Sequence, residues 1–306
     1  MPRPPSSPED DAANDAALAR LFARPYRLVR PESWTIPFLF ASPHSGRCYP
    51  PSLLDRSRLD ATMLRRSEDA FVDELFGGAV TLGAPLLAAE FPRAYLDANR
   101  GIAELDAGMF GGRLSVPVDA PSPRVSAGLG VIPRIVRDGA EIYRDKLKPL
   151  EADERLTRLY QPYHDALANL VDEARARFGG AALIDCHSMP SALGAPDIVL
   201  GDRYGASAGA VLTAAAEDAF VAAGFGVARN TPYAGGHTTV QYGRVGDGIH
   251  ALQIEINRSL YLDEDRIAKK PGFDAVKKRI TQALAKLAKL SPAHLRQGSG
   301  GQAAEG

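Results

Sequence analysis

Gly179-Gly180-Ala181-Ala182-Leu183-Ile184-Asp185-Cys186-His187-Ser188 is the stretch that decides how the chain is read. A glycine pair ends a helical pattern, a short apolar run follows, and the run passes into a polar Asp-Cys-His-Ser segment. An apolar run of that length, bounded by turn residues, is the pattern of a strand buried in a sheet. The helical pattern before it, over about 151–177, carries Leu156, Leu159, Tyr160, Tyr163, Leu167, Leu170 and Val171 at three- and four-residue spacing. Such a stripe faces a core. Two more strands are expected. Thr35–Ser42 is apolar and runs into Pro43-His44-Ser45-Gly46. Ala251–Asn257 alternates, placing Gln253, Glu255 and Asn257 on one face and Leu252, Ile254 and Ile256 on the other. Helices are also expected over about 207–223 and 273–290, the last with a solvated, lysine-rich face. Strands alternating with helices predict an α/β fold, a sheet packed by helices. In open α/β sheets ligands bind beyond the carboxyl ends of strands, where His44 and His187 both fall.

The composition is that of a soluble globular protein: 306 residues, 45% hydrophobic and 24% charged. A single domain is expected over 18–290, between a flexible leader at 1–17 and a flexible tail at 291–306 ending in Gly-Ser-Gly-Gly-Gln-Ala-Ala-Glu-Gly. With 36 basic and 37 acidic residues the net charge is -1, which gives no global field toward nucleic acid or an anionic membrane. No apolar stretch approaches the roughly 20 residues of a membrane span, and the first 15 residues hold no apolar signal region. Cys48 and Cys186 are therefore read as thiols of a cytoplasmic protein. Gly101–Arg137 is rich in glycine and proline without a period, which predicts a functional loop or lid.

Four groups of residues can carry chemistry. His44 and His187 are candidate metal ligands, with Asp185 placed to orient the His187 ring. Between them lies Ser67-Glu68-Asp69-Ala70-Phe71-Val72-Asp73-Glu74; Ser67 could cap a helix whose acidic first turn suits the dipole, or one carboxylate could join the histidines. Two histidines and a carboxylate are the ligand set of a hydrolytic zinc site, which lowers the pKa of water toward about 7. Glu255, on an otherwise apolar strand, is the candidate general base; a salt bridge to Arg258 is the alternative. Arg93, Asn99 and Arg100, around Asp97, give forked donors that match a carboxylate, and Arg258 adds a third guanidinium. His237 follows Gly235-Gly236, which permits close approach to a ligand, and can polarise a carbonyl or hold a leaving group. An ordinary glycine turn is the alternative there.

Taken in order, Ser-Pro-His-Ser-Gly at 42–46, Asp69 with Asp73, Asp-Ala-Asn-Arg at 97–100, Asp-Cys-His-Ser at 185–188, Gly-Gly-His-Thr at 235–238 and Glu-Ile-Asn-Arg at 255–258 resemble the N-formylglutamate amidohydrolase family over about 36–263. The resemblance implies a zinc-peptidase-like α/β fold with a mixed sheet flanked by helices, related to the zinc carboxypeptidases and aspartoacylase. It implies a divalent metal, Zn2+ first with Co2+ or Mn2+ as alternatives, on His44, Asp69 in preference to Glu68, and His187. It further implies Glu255 as base and Asn99 with Arg100 on the substrate carboxylate. The expected reaction is hydrolysis of a small anionic N-acyl amino acid, foremost N-formyl-L-glutamate to formate and L-glutamate. A carboxypeptidase-like or other N-acyl-amino-acid hydrolase, and a non-catalytic sensor of an acidic metabolite, are the competing expectations. Members of the family tend to have Asp-Trp where this chain has Asp69-Ala70, a departure that points toward a related substrate.

Overall fold

Strong β-formers and apolar residues concentrate in seven short segments, and these segments build the sheet. A computed structural model describes residues 8–136 and 139–296. Where the sequence predicts one domain, the chain falls into two compact units, the first from residues 1–27, 46–68 and 89–163 and the second from 28–45, 69–88 and 164–306.

The first unit is mostly short helices and irregular chain. Pro8–Ala23 is helical, so the expected flexible leader is a helix from Pro8 onward; residues 1–7 lie outside the described residues. Buried Arg155 organises this unit: its guanidinium lies 3.8 Å from the Tyr95 ring centroid and donates to the Tyr95 carbonyl (3.1 Å) and the Tyr143 hydroxyl (2.8 Å). The Gly- and Pro-rich region, described to Val136, holds one-turn helices at Ala107–Met109 and Pro123–Ser126. It is tied down by Asp97 N–H to the Val131 carbonyl and Val131 N–H to the Glu104 carbonyl, each 2.8 Å.

The strands of this sheet are β1 (Tyr26–Val29), β2 (Phe38–Ser42), β3 (Leu86–Ala89), β4 (Ala181–Met189), β5 (Ile198–Gly201), β6 (Val227–Arg229) and β7 (Ile249–Asn257), in the order β1-β3-β2-β4-β7-β5-β6. β3, β2, β4 and β7 run parallel, β5 runs antiparallel to β7, and β6 is parallel to β5. The sheet is mixed, as expected. Phe38, Phe40, Ala182, Ile184, Cys186, Leu252, Ile254 and Ile256 join one apolar cluster. Helices Ala210–Ala222 and Phe273–Leu287 supply its cover through Leu212, Ala216, Phe220, Ile280, Leu284 and Leu287. By strand alternation Asp185, His187, Gln253 and Glu255 occupy the opposite face.

Three local differences from the sequence reading have physical causes. β4 does not stop at Asp185 but continues to Met189, because β7 extends a matching ladder: Asp185 pairs with Gln253, His187 with Glu255 and Met189 with Asn257. His187 therefore sits within a strand, not in a loop. Ser67 caps no helix; its hydroxyl donates to the Leu64 carbonyl (2.9 Å), and the next helix starts only at Val72, after Phe71 in the left-handed region (φ 62°). The expected flexible tail contains a helix, Pro292–Arg296, whose Leu295 is buried; residues 297–306 lie outside the described residues.

Candidate metal centre

Three elements of the second unit deliver one cluster. His44 follows the carboxyl end of β2, Asp69 precedes the left-handed Phe71, and His187 stands on β4. Each is buried, with 1%, 1% and 3% of its surface exposed. The Asp69 N–H donates to the His44 carbonyl at 3.0 Å, so the backbone itself joins two of the three. Asp69 Oδ2 lies 3.2 Å from His44 Nδ1 and 2.9 Å from His187 Nδ1, and the two imidazole centroids are 4.9 Å apart.

The remaining atoms are assigned to other partners. His187 Nε2 lies 2.9 Å from Asp185 Oδ2, which holds a proton on Nε2 and leaves Nδ1 as the nitrogen that faces the cluster. Asp69 Oδ1 accepts from the Arg258 guanidinium (2.9 Å) and the Ser188 hydroxyl (3.2 Å), and Ser188 accepts from Arg258 Nε at 3.0 Å. Burial alone would raise the Asp69 pKa, but the hydrogen bonds and charges of His187 and His44 hold it well below the usual carboxylate range. Burial likewise opposes charge on His187, but Asp185 and Asp69 raise its pKa well above that of an ordinary histidine. The field in this pocket favours a cation.

The donor set fits a divalent ion. One ligand atom from each of His44, Asp69 and His187 lies within 4.8 Å of the others, and tetrahedral ligands about 2.0–2.2 Å from zinc stand about 3–4 Å apart. Two imidazoles, one of them backed by a second carboxylate, and a carboxylate are the ligands and outer support such an ion uses.

Glu255 lies opposite His187 in the ladder, is buried, and accepts from Gln253 Nε2 at 3.0 Å. His237 is half-buried and opens the helix His237–Tyr242, which packs on β7 and β4. The turn before it lies directly on Gly201, where an added Cβ would come within 2.9 Å of the Tyr233 carbonyl oxygen and the Gly235 nitrogen. Gly201 pairs with Gln253, so that turn borders the strand that bears Glu255.

The other expected site residues are placed differently. Arg258, read from sequence as a substrate anchor, is buried with its guanidinium on Asp69 and Ser188. Glu68 accepts from the Tyr49 hydroxyl (2.8 Å) and Arg65 (3.0 and 3.1 Å) in the first unit, outside the three-residue cluster. Arg93, Asn99 and Arg100 also belong to the first unit. There Asp97 Oδ2 accepts from Arg93 Nε (3.0 Å) and Asp97 Oδ1 from the Asn99 N–H (2.9 Å), while Arg100 donates to the Asn99 and Leu129 carbonyls. Ala70 is buried in the apolar cluster, so the departure beside Asp69 is a packing position. Sequence reading gave no role to Ser188 or Gln253, though it quoted both, and passed over His164. The last lies in the apolar stripe of the helix Gln161–Phe178, where a polar residue at a core position was the available signal.

A mixed α/β sheet with a buried His–Asp–His cluster at its parallel strands, and a glutamate in register beside it, defines an α/β protein with a candidate metal centre. The chain belongs to the N-formylglutamate amidohydrolase family, whose pattern matches residues 36–262. It is 31% identical over 239 residues to the N-formylglutamate deformylase of Pseudomonas aeruginosa, covering 75% of this chain and 83% of that protein. The Pseudomonas putida N-formylglutamate deformylase is 29% identical, with the same coverage. The crystal structure of an N-formylglutamate amidohydrolase from Ralstonia eutropha JMP134 superposes with a TM-score of 0.81 at 35% identity, covering 86% of this chain and 97% of that one. A gene product of Agrobacterium tumefaciens shares the fold at 19% identity, with a TM-score of 0.62 over 88% and 95% of the two chains.

Proposed function

We propose that this chain hydrolyses N-formyl-L-glutamate to formate and L-glutamate, with a divalent metal, zinc first, held by His44, Asp69 and His187. The observation that carries the reading is the buried convergence of those three side chains, backed by Asp185 and Arg258, beside Glu255. Family membership and the names of the relatives support the substrate.

A divalent ion at such a site lowers the pKa of water and polarises a carbonyl. The chain's own residues do the rest. Glu255 takes a proton as the water oxygen bonds to the formyl carbon, then passes it to the amide nitrogen as the C–N bond breaks. His237 polarises the carbonyl or steadies the departing amine. Asn99 and Arg100, with Arg93, are assigned to the substrate carboxylates on the resemblance of their motif, through charge-assisted hydrogen bonds. Arg258 we assign to holding Asp69 in place, because both of its short contacts there serve that carboxylate and its Ser188 neighbour.

Both cysteines are free thiols, which supports a cytoplasmic setting. No helix among the described residues is long and apolar enough to cross a membrane.

The test is elemental analysis of the purified protein beside a His44→Ala, His187→Ala double variant, followed by a panel of formyl-, acetyl- and succinyl-amino acids and short peptides. About one ion per chain, lost in the variant, with release of formate from N-formyl-L-glutamate leading the panel, is the expected result. Absence of metal after reconstitution with zinc, cobalt or manganese would overturn the metal assignment. Preference for another acyl group or for peptides would overturn the substrate.

A further inference from the structure

We propose that His164 and Tyr242 form a positioning pair that fixes the imidazole of His237 for its step on the substrate, an inference that rests on the role given to His237 above. His164 is 8% exposed and Tyr242 5% exposed. His164 Nδ1 lies 2.9 Å from the Tyr242 hydroxyl, and that hydroxyl donates to the backbone carbonyl of His164 at 3.1 Å. A phenol has one proton to give. With that proton on the carbonyl, the hydroxyl accepts at its other contact, so Nδ1 of His164 carries hydrogen and the tautomer is set. The two rings lie parallel, 6° apart with centroids at 6.0 Å. His164 meets the His237 ring edge to face, at 79° and 6.1 Å between centroids.

The arrangement holds both ends of one short helix. His237 opens it and Tyr242 ends it. Tyr242 is anchored to the His164 backbone at one end, and the His164 ring forms a wall against the His237 ring at the other. The helix in turn packs on β4 and β7, the strands of His187 and Glu255. A position that only filled space would be apolar, as Tyr163 and Leu167 largely are in the same stripe, because burying a polar ring costs free energy unless it is hydrogen-bonded. Burial, with a smaller contribution from Asp165, raises the Tyr242 pKa far above that of an ordinary phenol, so the hydroxyl keeps the proton that this geometry uses. Removing the His164 ring leaves the His237 imidazole without its wall on that side, the side on which the ring's side-chain torsions are limited by His164.

Two variants separate positioning from packing. His164→Asn keeps an N–H near the Nδ1 position, and with it the bond to Tyr242, but deletes the rest of the ring. Tyr242→Phe keeps the stack and deletes both hydrogen bonds. Each is combined with His237→Ala in a double-mutant cycle on N-formyl-L-glutamate, and ring 15N resonances of the six histidines are recorded in the metal-loaded protein. The expected result is a fall in kcat of roughly 10- to 100-fold, with KM changed by less than about twofold. The fall should vanish when His237 is already alanine, and the His237 ring resonances should shift in His164→Asn. An equal fall with or without His237, or unmoved His237 resonances, overturns the proposal. If the wild-type protein leaves N-formyl-L-glutamate intact, the proposed reaction fails, while the ring resonances still decide whether His164 positions His237. If His164→Asn does not fold, the cycle with Tyr242→Phe decides.

Discussion

Replacing Asp185 with asparagine tests how the candidate metal centre is supported without touching any of its three ligands. Asp185 is fully buried and lies 2.9 Å from Nε2 of His187, which is itself 3% exposed. No bulk water can take the place of a lost partner there. The carboxylate holds the Nε2 proton, keeps Nδ1 as the lone-pair nitrogen, and makes that lone pair more basic. Loss of such an outer-shell carboxylate costs about 10- to 100-fold in metal affinity, which is about 1.4–2.7 kcal/mol. Asparagine keeps the size and an acceptor oxygen but loses the charge, so Asp185→Asn should fall near tenfold. Asp185→Ala also leaves the buried Nε2–H unbonded, at about 1–3 kcal/mol, and should fall near or beyond 100-fold. Competition of the metal-loaded proteins against a chromogenic chelator measures the affinities, and far-ultraviolet circular dichroism of the metal-free proteins establishes that each is folded. Wild-type affinity in both folded variants would refute the reasoning.

Glu255→Gln should retain the metal and lower kcat by about 10²–10⁴-fold; full turnover in a metal-loaded variant would remove Glu255 as the base. Arg258→Met takes the guanidinium from Asp69 Oδ1 and Ser188, and breaking a buried charged pair costs about 3–5 kcal/mol, so the metal-free variant should show a lower urea midpoint; an unchanged midpoint refutes it. Gly201→Ala would place a methyl within 2.9 Å of backbone atoms in the turn before His237, at a cost of about 1–3 kcal/mol, read as a lower Tm and lost if the variant melts with the wild type. His250 accepts from the Gly209 N–H at Nδ1 and donates from Nε2 to the Leu295 carbonyl, each 2.9 Å, and burial lowers its pKa. The unfolded chain, with a histidine pKa of about 6.5, then binds the proton first. This contribution to stability is full above that pH and is lost as pH falls through the lower folded value. Urea midpoints across this range should fall less steeply with acid in His250→Gln than in wild type, and parallel curves would count against it.

Much of the framework was legible because its residues obey simple periods. The alternation over Ala251–Asn257 placed Glu255 with Gln253, and the Gln253–Glu255 hydrogen bond realises that face. His44 and His187 stood out because apolar runs led into them. The end of β4 was not legible, since polar Cys186-His187-Ser188 reads as loop until β7 is known to pair beside it. Nor was the local geometry around Asp69. An acidic segment after a serine reads as a helix start, whereas the left-handed Phe71 and the Asp69–His44 backbone bond are long-range consequences of packing. The contacts of Arg258 with Asp69 and Ser188 were hidden for a related reason: a guanidinium near a catalytic motif looks the same in sequence whether it faces substrate or a neighbouring carboxylate. His164 vanished into a stripe of apolar neighbours.

Asp69 carries the strongest physical argument for a cation. A buried carboxylate is costly unless it is paired, and this one is over-supplied with constraints. Its nitrogen is bonded to the His44 carbonyl, its chain direction is set by a left-handed residue two places on, and its Oδ1 is held by Arg258 and Ser188. A left-handed non-glycine backbone costs of order 1–3 kcal/mol and persists only where the surroundings determine it. Those constraints leave Oδ2 facing two imidazole nitrogens, with the His187 ring gripped from behind by Asp185. Were the cluster only structural, one histidine opposite Asp69 would satisfy Oδ2 and the second would be redundant. Two imidazoles and a carboxylate oxygen, each oriented by a separate partner or element, form a donor set that could hold a divalent ion, whose charge and bonding requirements match all three.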